Sequence, residues 1–338
     1  MHISMKIFIF IVIFSLLNNA DADDGQISNL NNIDIWWETH GEYSNPPVLM
    51  IMGLNSNLKR WPTELIEGLV NQGFYVITYD NRDTGKSTWV TKESNVIKLI
   101  KFMPAFIQEL IVDGFFSQML DEEGRFNMGG VPSGYNLEDM ALDGIALLDL
   151  LKIDKAHIVG ASMGGMIAQV ISLDHSERVI TLTAIMTTPG FDTPGLSGPF
   201  PEYFHAMRES FTLSLQNKSK ESLEVSNMSL IGPKFFDEEH DNLSKILKRM
   251  EDHGNNPNSG HMAAVGSSPN RFIRLKEISV PTLVIHGTED PLIPVDHGIA
   301  LSEEIKNSEK LIIKGMGHNF PSSKIPVIIE NMTDHFDG

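Results

Sequence analysis

The sequence feature that most constrains this chain is the turn Gly160-x-Ser162-x-Gly164. An apolar stretch at residues 156–159 precedes the turn, and a stretch with helical spacing at 163–173 follows it. This order predicts a strand, a sharp turn and a helix, with Ser162 held in a strained conformation between them. Flanking glycines leave room for the strand and the helix to approach each other. A bare Gly-x-Ser-x-Gly match is weak, but its placement between a strand and a helix favours a nucleophilic serine.

Strand-like apolar segments alternate with helical segments along most of the chain. This alternation predicts an α/β fold with a doubly wound, mainly parallel sheet. It stops between residues 187 and 276, a polar segment rich in Pro, Gly and Met, where we expect an inserted helical cap. The expected strands are 33–39, 48–52, 74–79, 156–159, 179–186, 281–286 and 310–314, and the expected helices include 136–151, 163–173, 295–305 and 324–336.

The amino terminus has the composition of a secretory signal peptide. Lys6 precedes an apolar run at residues 7–17, and Ala20-Asp21-Ala22 follows as a cleavage site. We therefore expect cleavage after Ala22 and a secreted or periplasmic protein, with an uncleaved anchor as the alternative. The apolar run is too short to span a bilayer comfortably, so no spanning segment is expected in the mature chain. The chain contains no cysteine, so the exported protein would have no disulfides.

The predicted domain organisation has four parts. They are a signal peptide (1–22), the first part of the core (23–186, with an apolar helical insertion at 89–134), a helical cap (187–276) and the second part of the core (277–338).

The three residue types that a serine hydrolase requires each follow a predicted strand, in the chain order Ser, Asp, His. Carboxyl ends of parallel strands meet at one edge of a sheet, so Ser162, Asp290 and His318 are expected to lie together there. Ser162 would be the nucleophile, His318 the base, and Asp290 the group that orients the imidazole. His286 competes for the role of base, although its position before Asp290 favours a structural role. Surface positions are expected for the histidines at 40, 157, 175, 205, 240, 253, 261, 297 and 335.

Stabilising a tetrahedral intermediate requires two N–H donors. We expect the backbone of Met163, directly after the nucleophile, and of Leu54, in the loop after the first parallel strand. The loop at residues 80–87 is expected to be structural, with Arg82 anchoring neighbouring loops and Gly85 forming the turn. No metal-ligand spacing and no glycine-rich phosphate loop is present, so neither a metal nor a cofactor is expected.

The net charge of −18 and the sequence pI of about 5.0 argue against binding of nucleic acid or of an anionic membrane. The 41% hydrophobic and 21% charged residues are typical of a soluble globular protein. The acidic residues are therefore expected to form a solvated surface rather than a binding site.

The motifs together resemble the α/β-hydrolase superfamily, and within it the aclacinomycin methylesterase-like group. The resemblance is carried by Met52-Gly53-Leu54, the Arg82 to Ser87 loop, the Ser162-Met163-Gly164 turn followed by an apolar helix, Asp290-Pro291 and Gly315-Met316-Gly317-His318. It implies the α/β-hydrolase fold with a helical cap and a cofactor-free serine esterase that acts on a small-molecule ester.

Several alternatives stay open at this point. The same three residues could serve a peptidase of the proline-iminopeptidase type, a C–C hydrolase or a perhydrolase, and a non-catalytic binding protein could retain them. The apolar insertion is expected to pack on the cap, with a lid or a lipid-facing surface through residues 96–120 as the alternative. The sequence predicts neither the natural ester nor the oligomeric state.

Overall fold

The computed structural model describes residues 25–127, 134–256 and 258–338 of the 338-residue chain. The predicted signal peptide, with its cleavage site after Ala22, lies outside the described residues. Among the helices of the described ranges, none combines the length and the apolar character needed to cross a membrane.

In the described chain, eight strands form one twisted sheet in the order β1-β2-β4-β3-β5-β6-β7-β8, and the strands β3 to β8 pair parallel with one another. Strands β1 and β2 pair antiparallel with each other, and β2 pairs antiparallel with β4. The predicted doubly wound, mainly parallel sheet is therefore confirmed. The strands are β1 (Gln26–Leu30), β2 (Ile33–His40), β3 (Pro47–Ile51), β4 (Tyr75–Tyr79), β5 (Ala156–Ala161), β6 (Val179–Ile185), β7 (Thr282–Gly287) and β8 (Ser308–Ile313).

The expected elements are present, with their ends shifted by at most two residues, and β1 is an addition. Asn31 and Asn32 connect β1 to β2, and both have positive φ angles of 51° and 64°, as a tight hairpin turn requires. The helices in the described ranges are α1 (Thr63–Asn71), α2 (Asn95–Lys101), α3 (Ala105–Phe116), α4 (Leu137–Leu150), α5 (Met163–Asp174), α6 (Pro201–Leu215), α7 (Ser219–Met228), α8 (Phe236–His253), α9 (His261–Ser267), α10 (Val295–Glu304) and α11 (Ile325–Asp337).

Helices cover both faces of the sheet, because successive side chains of a buried strand point to opposite faces. Leu49 belongs to the core beneath α4 and α5, whereas its neighbour Met50 belongs to the core beneath α1 and α11. Ile158 and Val159 of β5 alternate in the same way. This double coverage explains why the central strands are continuous apolar runs. Asn136 caps α4 in a reciprocal capping box with Asp139.

Helices α6 to α9 lie in sequence between β6 and β7, where the sequence predicts the cap. Helices α6 and α7 pack together, and α8 packs against the 3-10 turn Leu58–Arg60 of the core. The boundaries 187–276 stay a prediction.

The predicted apolar insertion forms α2 and α3, with one face packed and the other exposed. Val112 and Phe116 pack against Leu215 of α6, so the expected packing on the cap is present. The opposite face exposes large apolar side chains, and Phe102, between the helices, is 89% exposed. Contact of this face with a lipid surface stays a prediction. Its exposed members are Val96, Leu99, Phe102, Phe106, Leu110 and Phe115.

Candidate active site

The turn between β5 and α5 holds Ser162 in the strained conformation that the sequence predicts. Ser162 has φ 56° and ψ −122°, a region that non-glycine residues rarely adopt. A Cβ added at Gly160 would lie 2.2 Å from the Gly164 carbonyl oxygen, and one at Gly164 would lie 2.0 Å from the Ile51 carbonyl oxygen. The two glycines are therefore required because backbone from the helix and from β3 occupies the space of a side chain.

Replacing Gly164 by Ala is expected to destabilise the protein strongly. The added methyl group would clash with the backbone oxygens of Ile51 and Met52, at 2.0 and 2.8 Å, and backbone cannot move aside as a flexible side chain can. We expect a loss of at least about 3 kcal/mol in the free energy of unfolding, measured by urea denaturation. Gly114→Ala is the matched control, since nothing lies within 4 Å of the position that a Cβ would take there. That control should gain about 0.5–1 kcal/mol in helix α3; equal effects of the two substitutions would contradict the account.

The structure brings Ser162, His318 and Asp290 together in one hydrogen-bonded chain. The Ser162 hydroxyl lies 2.9 Å from His318 Nε2, and His318 Nδ1–H donates to Asp290 Oδ2 at 2.7 Å. Asp290 is fully buried after β7, and His318, in the loop after β8, is 6% exposed. With Nδ1 protonated, Nε2 presents its lone pair to the serine hydroxyl, as proton abstraction requires.

Two backbone N–H groups hold the Asp290 carboxylate in place. Leu292 and Ile293 donate to Asp290 Oδ1 at 3.0 and 2.8 Å, which leaves Oδ2 for His318. His286, the competing base, lies 3.5 Å from Asp290 Oδ2 and donates from Nε2 to the Ile293 carbonyl at 2.8 Å. Burial lowers the pKa of His286, and its hydrogen bond is to the Asp290 loop rather than to Ser162. The structural role expected for His286 is therefore confirmed.

The loop of residues 53–55, which we call the oxyanion loop, lies directly against the serine. A Cβ on Gly53 would be 2.9 Å from the Ser162 Cβ, so only glycine permits this approach. Neither the Leu54 nor the Met163 N–H donates to another residue of the described chain. Both predicted donors are thus free for a ligand, and their role in an oxyanion hole stays a prediction.

Sequence reasoning missed one residue that orients this loop. The Asn55 N–H donates to His261 Nδ1 at 3.0 Å, and His261 Nε2–H donates to the Arg82 carbonyl at 2.7 Å. His261 is fully buried at the start of α9, 206 residues along the chain from Asn55. The expected surface position is wrong for this histidine, and also for the buried histidines at 157, 253 and 297.

Protein stability is expected to fall as the pH drops from 6.5 towards 4, in part because of His261. Burial lowers the pKa of His261 to about 4 from its ordinary 6.5. The unfolded chain therefore takes up a proton in this range while the folded protein does not, and stability that is complete above pH 6.5 is lost. The shift corresponds to about 3 kcal/mol for this group. Urea midpoints at pH 7.5 and 4.5 should differ less in His261→Gln than in the wild type; equal differences would contradict the assignment.

The loop at residues 80–87 is structural, as expected. Arg82 forms a bidentate ion pair with Asp143 of α4, both bonds at 2.8 Å. Asp80 accepts from the Leu58 N–H at 2.8 Å and from His253 Nε2 at 2.7 Å, which ties the core to α8. Gly85 has φ 52°, and its expected role in the turn is confirmed. The bond from the Leu58 N–H to Asp80 holds the chain that follows the oxyanion loop. The Arg82 carbonyl holds His261, which contacts the oxyanion loop at Asn55.

A cavity of about 280 Å³ opens beside Ser162 and His318, a size suited to a small organic ester. One part of its wall is apolar, with Met186, Leu230 and Phe320, while serines of α6 and α7 supply polar groups. Residues 89–127 contribute nothing to this wall. The described part of the apolar insertion therefore packs against helix α6 and does not line the cavity.

Comparisons with known proteins are consistent with this arrangement. The family model described as the alpha/beta hydrolase fold matches residues 46–324. The chain is 26% identical over 310 residues to rhodomycin D methylesterase DauP of Streptomyces sp. (strain C5), a match that covers 86% of this chain and 91% of that protein. A 2-hydroxy-6-oxononadienedioate/2-hydroxy-6-oxononatrienedioate hydrolase of Pseudomonas putida is 31% identical over 220 residues, which cover 63% of this chain and 74% of that protein.

Solved structures share the fold at lower sequence identity. The enol-lactonase from Burkholderia xenovorans LB400 superposes with a TM-score of 0.68 at 17% identity, over 93% of this chain and 100% of that one. A hydrolase from Pseudomonas aeruginosa PA01 gives a TM-score of 0.67 at 19% identity, over 94% of this chain and 100% of that one. At such identities the likeness concerns the fold alone.

Proposed function

This chain belongs to the α/β-hydrolase fold family, and we propose that it is a serine hydrolase that cleaves a carboxylic ester through an acyl-enzyme on Ser162. The observation that carries the proposal is the hydrogen-bonded chain from Ser162 through His318 to Asp290 beside a small cavity. The predicted resemblance to methylesterase-like members of the family is confirmed by the similarity to the rhodomycin D methylesterases.

In the acylation step, the Ser162 hydroxyl oxygen attacks the ester carbonyl and His318 Nε2 accepts its proton. Negative charge develops on the carbonyl oxygen, where the free N–H groups of Leu54 and Met163 would stabilise it. Asp290 stabilises the imidazolium that forms. Collapse of the intermediate breaks the bond to the alcohol oxygen, and His318 returns the proton to the departing alcohol.

Deacylation repeats these steps with water as the nucleophile. His318 accepts a proton from the water as its oxygen attacks the acyl carbon, and the same two N–H groups stabilise the second intermediate. Collapse breaks the bond to the Ser162 oxygen, which regains its proton from His318 and releases the carboxylic acid. Atoms and charge balance with water as the co-reactant.

The relatives favour an ester over the other acyl substrates that this site could accept. Two methylesterases match 86% of the chain, whereas the Pseudomonas putida hydrolase matches 63% of it and a 2-hydroxy-6-oxo-6-phenylhexa-2,4-dienoate hydrolase of Burkholderia cepacia matches 51%. The similarity to C–C hydrolases nevertheless supports cleavage next to a carbonyl in a vinylogous diketone as the second candidate. We further propose that the protein is secreted or periplasmic, on the basis of its predicted signal peptide.

A substrate panel with the purified protein tests the ester assignment. We expect hydrolysis of p-nitrophenyl and methyl esters, and no comparable hydrolysis of proline p-nitroanilide or of a vinylogous 1,5-diketone. The chain-length optimum should lie among short acyl groups, because the cavity is about 280 Å³. Preference for the anilide or the diketone would replace the ester assignment, and N-terminal sequencing of exported protein that does not begin at Asp23 would contradict the proposed cleavage.

A further inference from the structure

A positively charged side chain in the active-site cavity has no carboxylate partner in the described chain. Arg60 ends the 3-10 turn that follows the oxyanion loop, and it lines the same cavity as Ser162 and His318. Its guanidinium donates to the side-chain oxygen of Asn227 in α7. No described Asp or Glu forms an ion pair with Arg60. The ionisable neighbour that affects the pKa of Arg60 is Tyr203.

The guanidinium keeps its positive charge and most of its donors. Burial lowers the pKa of Arg60 to about 10, so it remains protonated at neutral pH. A guanidinium has five N–H donors, and the Asn227 oxygen uses few of them. The side chain is only partly exposed, so its charge is less well solvated than in bulk water and has no counter-ion. An anionic group that enters the cavity would therefore bind there.

The surroundings of Arg60 suit an oxyanion. Tyr203, close enough for electrostatic interaction with Arg60, also lines the cavity, and its hydroxyl makes no hydrogen bond to another described residue. Glu239 is the acidic residue of the described wall, but its oxygens accept from the Ser322 N–H at 2.7 Å and from the Asn242 amide at 3.3 Å. Glu239 therefore forms its contacts with Ser322 and Asn242, and no ion pair between it and Arg60 occurs in the described chain.

We propose that Arg60 forms an anion subsite and that the ester substrate carries a carboxylate group that binds there. The inference rests on the proposed esterase function and specifies its substrate class. Arg60 is the one Lys or Arg side chain in the described wall of the cavity. One guanidinium balances the single charge of a carboxylate, and its planar fork can donate to both carboxylate oxygens. The substrate class is therefore a monoester of a dicarboxylic acid, or an ester whose alcohol bears a carboxylate.

Matched pairs of methyl esters test this subsite. In monomethyl glutarate a carboxylate stands where methyl pentanoate has a methyl group, and the succinate and adipate pairs vary the distance between the ester and the charge. Methanol release gives kcat/KM for each member. At the best chain length the wild type should prefer the carboxylate member by about 10- to 100-fold, as expected for a charge-assisted hydrogen bond.

Three substitutions and one control distinguish the effect of the Arg60 charge from an effect on the structure. Arg60→Gln removes the charge but keeps an amide that can donate to Asn227, and it should reduce the preference at least about tenfold. Asn227→Asp leaves Arg60 in place but supplies an internal carboxylate, and it should reduce the preference in the same way. Arg60→Lys should keep part of it. Arg249→Gln, which alters an arginine that donates to Thr63 outside this cavity, should leave the preference unchanged.

Binding without catalysis distinguishes the subsite from the esterase function. The Ser162→Ala protein should bind monomethyl glutarate in a calorimetric titration, and Ser162→Ala/Arg60→Gln should bind it at least about tenfold more weakly. This result supports the subsite even if no ester is cleaved. Equal kcat/KM values for the paired esters at every length, or binding that Arg60→Gln does not change, would overturn the subsite and leave the esterase proposal standing.

Discussion

Ser162→Ala is expected to lower kcat for ester hydrolysis by about 10⁴- to 10⁶-fold. The substitution removes the oxygen that lies 2.9 Å from His318 Nε2 and forms the bond to the acyl group. The Leu54 and Met163 N–H groups remain, so a slow residual reaction with water can persist. Stopped-flow measurement with a p-nitrophenyl ester should show a burst of p-nitrophenol for the wild type and none for the variant.

The substitution itself should preserve the fold. Alanine at 162 faces the same positive φ as serine, and the backbone hydrogen bond from the residue 162 N–H to the Ile185 carbonyl is retained. Circular dichroism and the thermal midpoint should therefore be close to those of the wild type. Ser302→Ala, which alters a hydroxyl bonded to Ile299 in α10, is the matched control and should retain full activity. A Ser162→Ala protein that keeps more than about one tenth of the activity would rule out the proposed mechanism.

Asp290→Asn is expected to lower kcat by about 10⁴-fold, although the two side chains have nearly the same shape. The asparagine oxygen would accept the N–H groups of Leu292 and Ile293 that Asp290 Oδ1 accepts now, which places its NH₂ group towards His318. Nδ1 of His318 would then accept a hydrogen bond, so the proton would reside on Nε2. A protonated Nε2 cannot take the proton of Ser162, and the imidazolium would lose its counter-charge.

The test of this prediction separates chemistry from binding. Pre-steady-state acylation should slow in Asp290→Asn, while inhibition by a substrate-like acid should change little. Asp296→Asn is the control, since Asp296 accepts a hydrogen bond from the Ser197 N–H and none from His318. Equal rates in Asp290→Asn and the wild type would show that another carboxylate orients the base, or that His318 is not the base.

The strands, the turn around Ser162 and the positions of the three proposed catalytic residues could be predicted because their signals are local. Each central strand is a continuous apolar run, and Gly160 and Gly164 mark a turn whose crowding the structure displays directly. The serine, the aspartate and the histidine each follow such a strand. Because the carboxyl ends of parallel strands lie at one edge of the sheet, the positions of these residues after their strands predict that they meet there.

The features that could not be predicted depend on pairs of residues far apart in the chain. His261 contacts Asn55 across 206 positions, and Arg60 contacts Asn227 across 167. Histidine occurs in both buried and exposed positions, so one sequence does not show which histidines are buried. The strand β1 was missed because it is short and partly polar, although the Asn31-Asn32 pair is a hairpin signal.

The most direct test of the central claim is covalent labelling of the protein with a fluorophosphonate, followed by mass spectrometry of its peptides. The account predicts one adduct per chain, located on Ser162, because that hydroxyl is activated by His318 beside an open cavity. The adduct should be absent from Ser162→Ala. Folded wild-type protein that remains unlabelled, or that carries the adduct on another residue, would contradict the claim that Ser162 is the nucleophile.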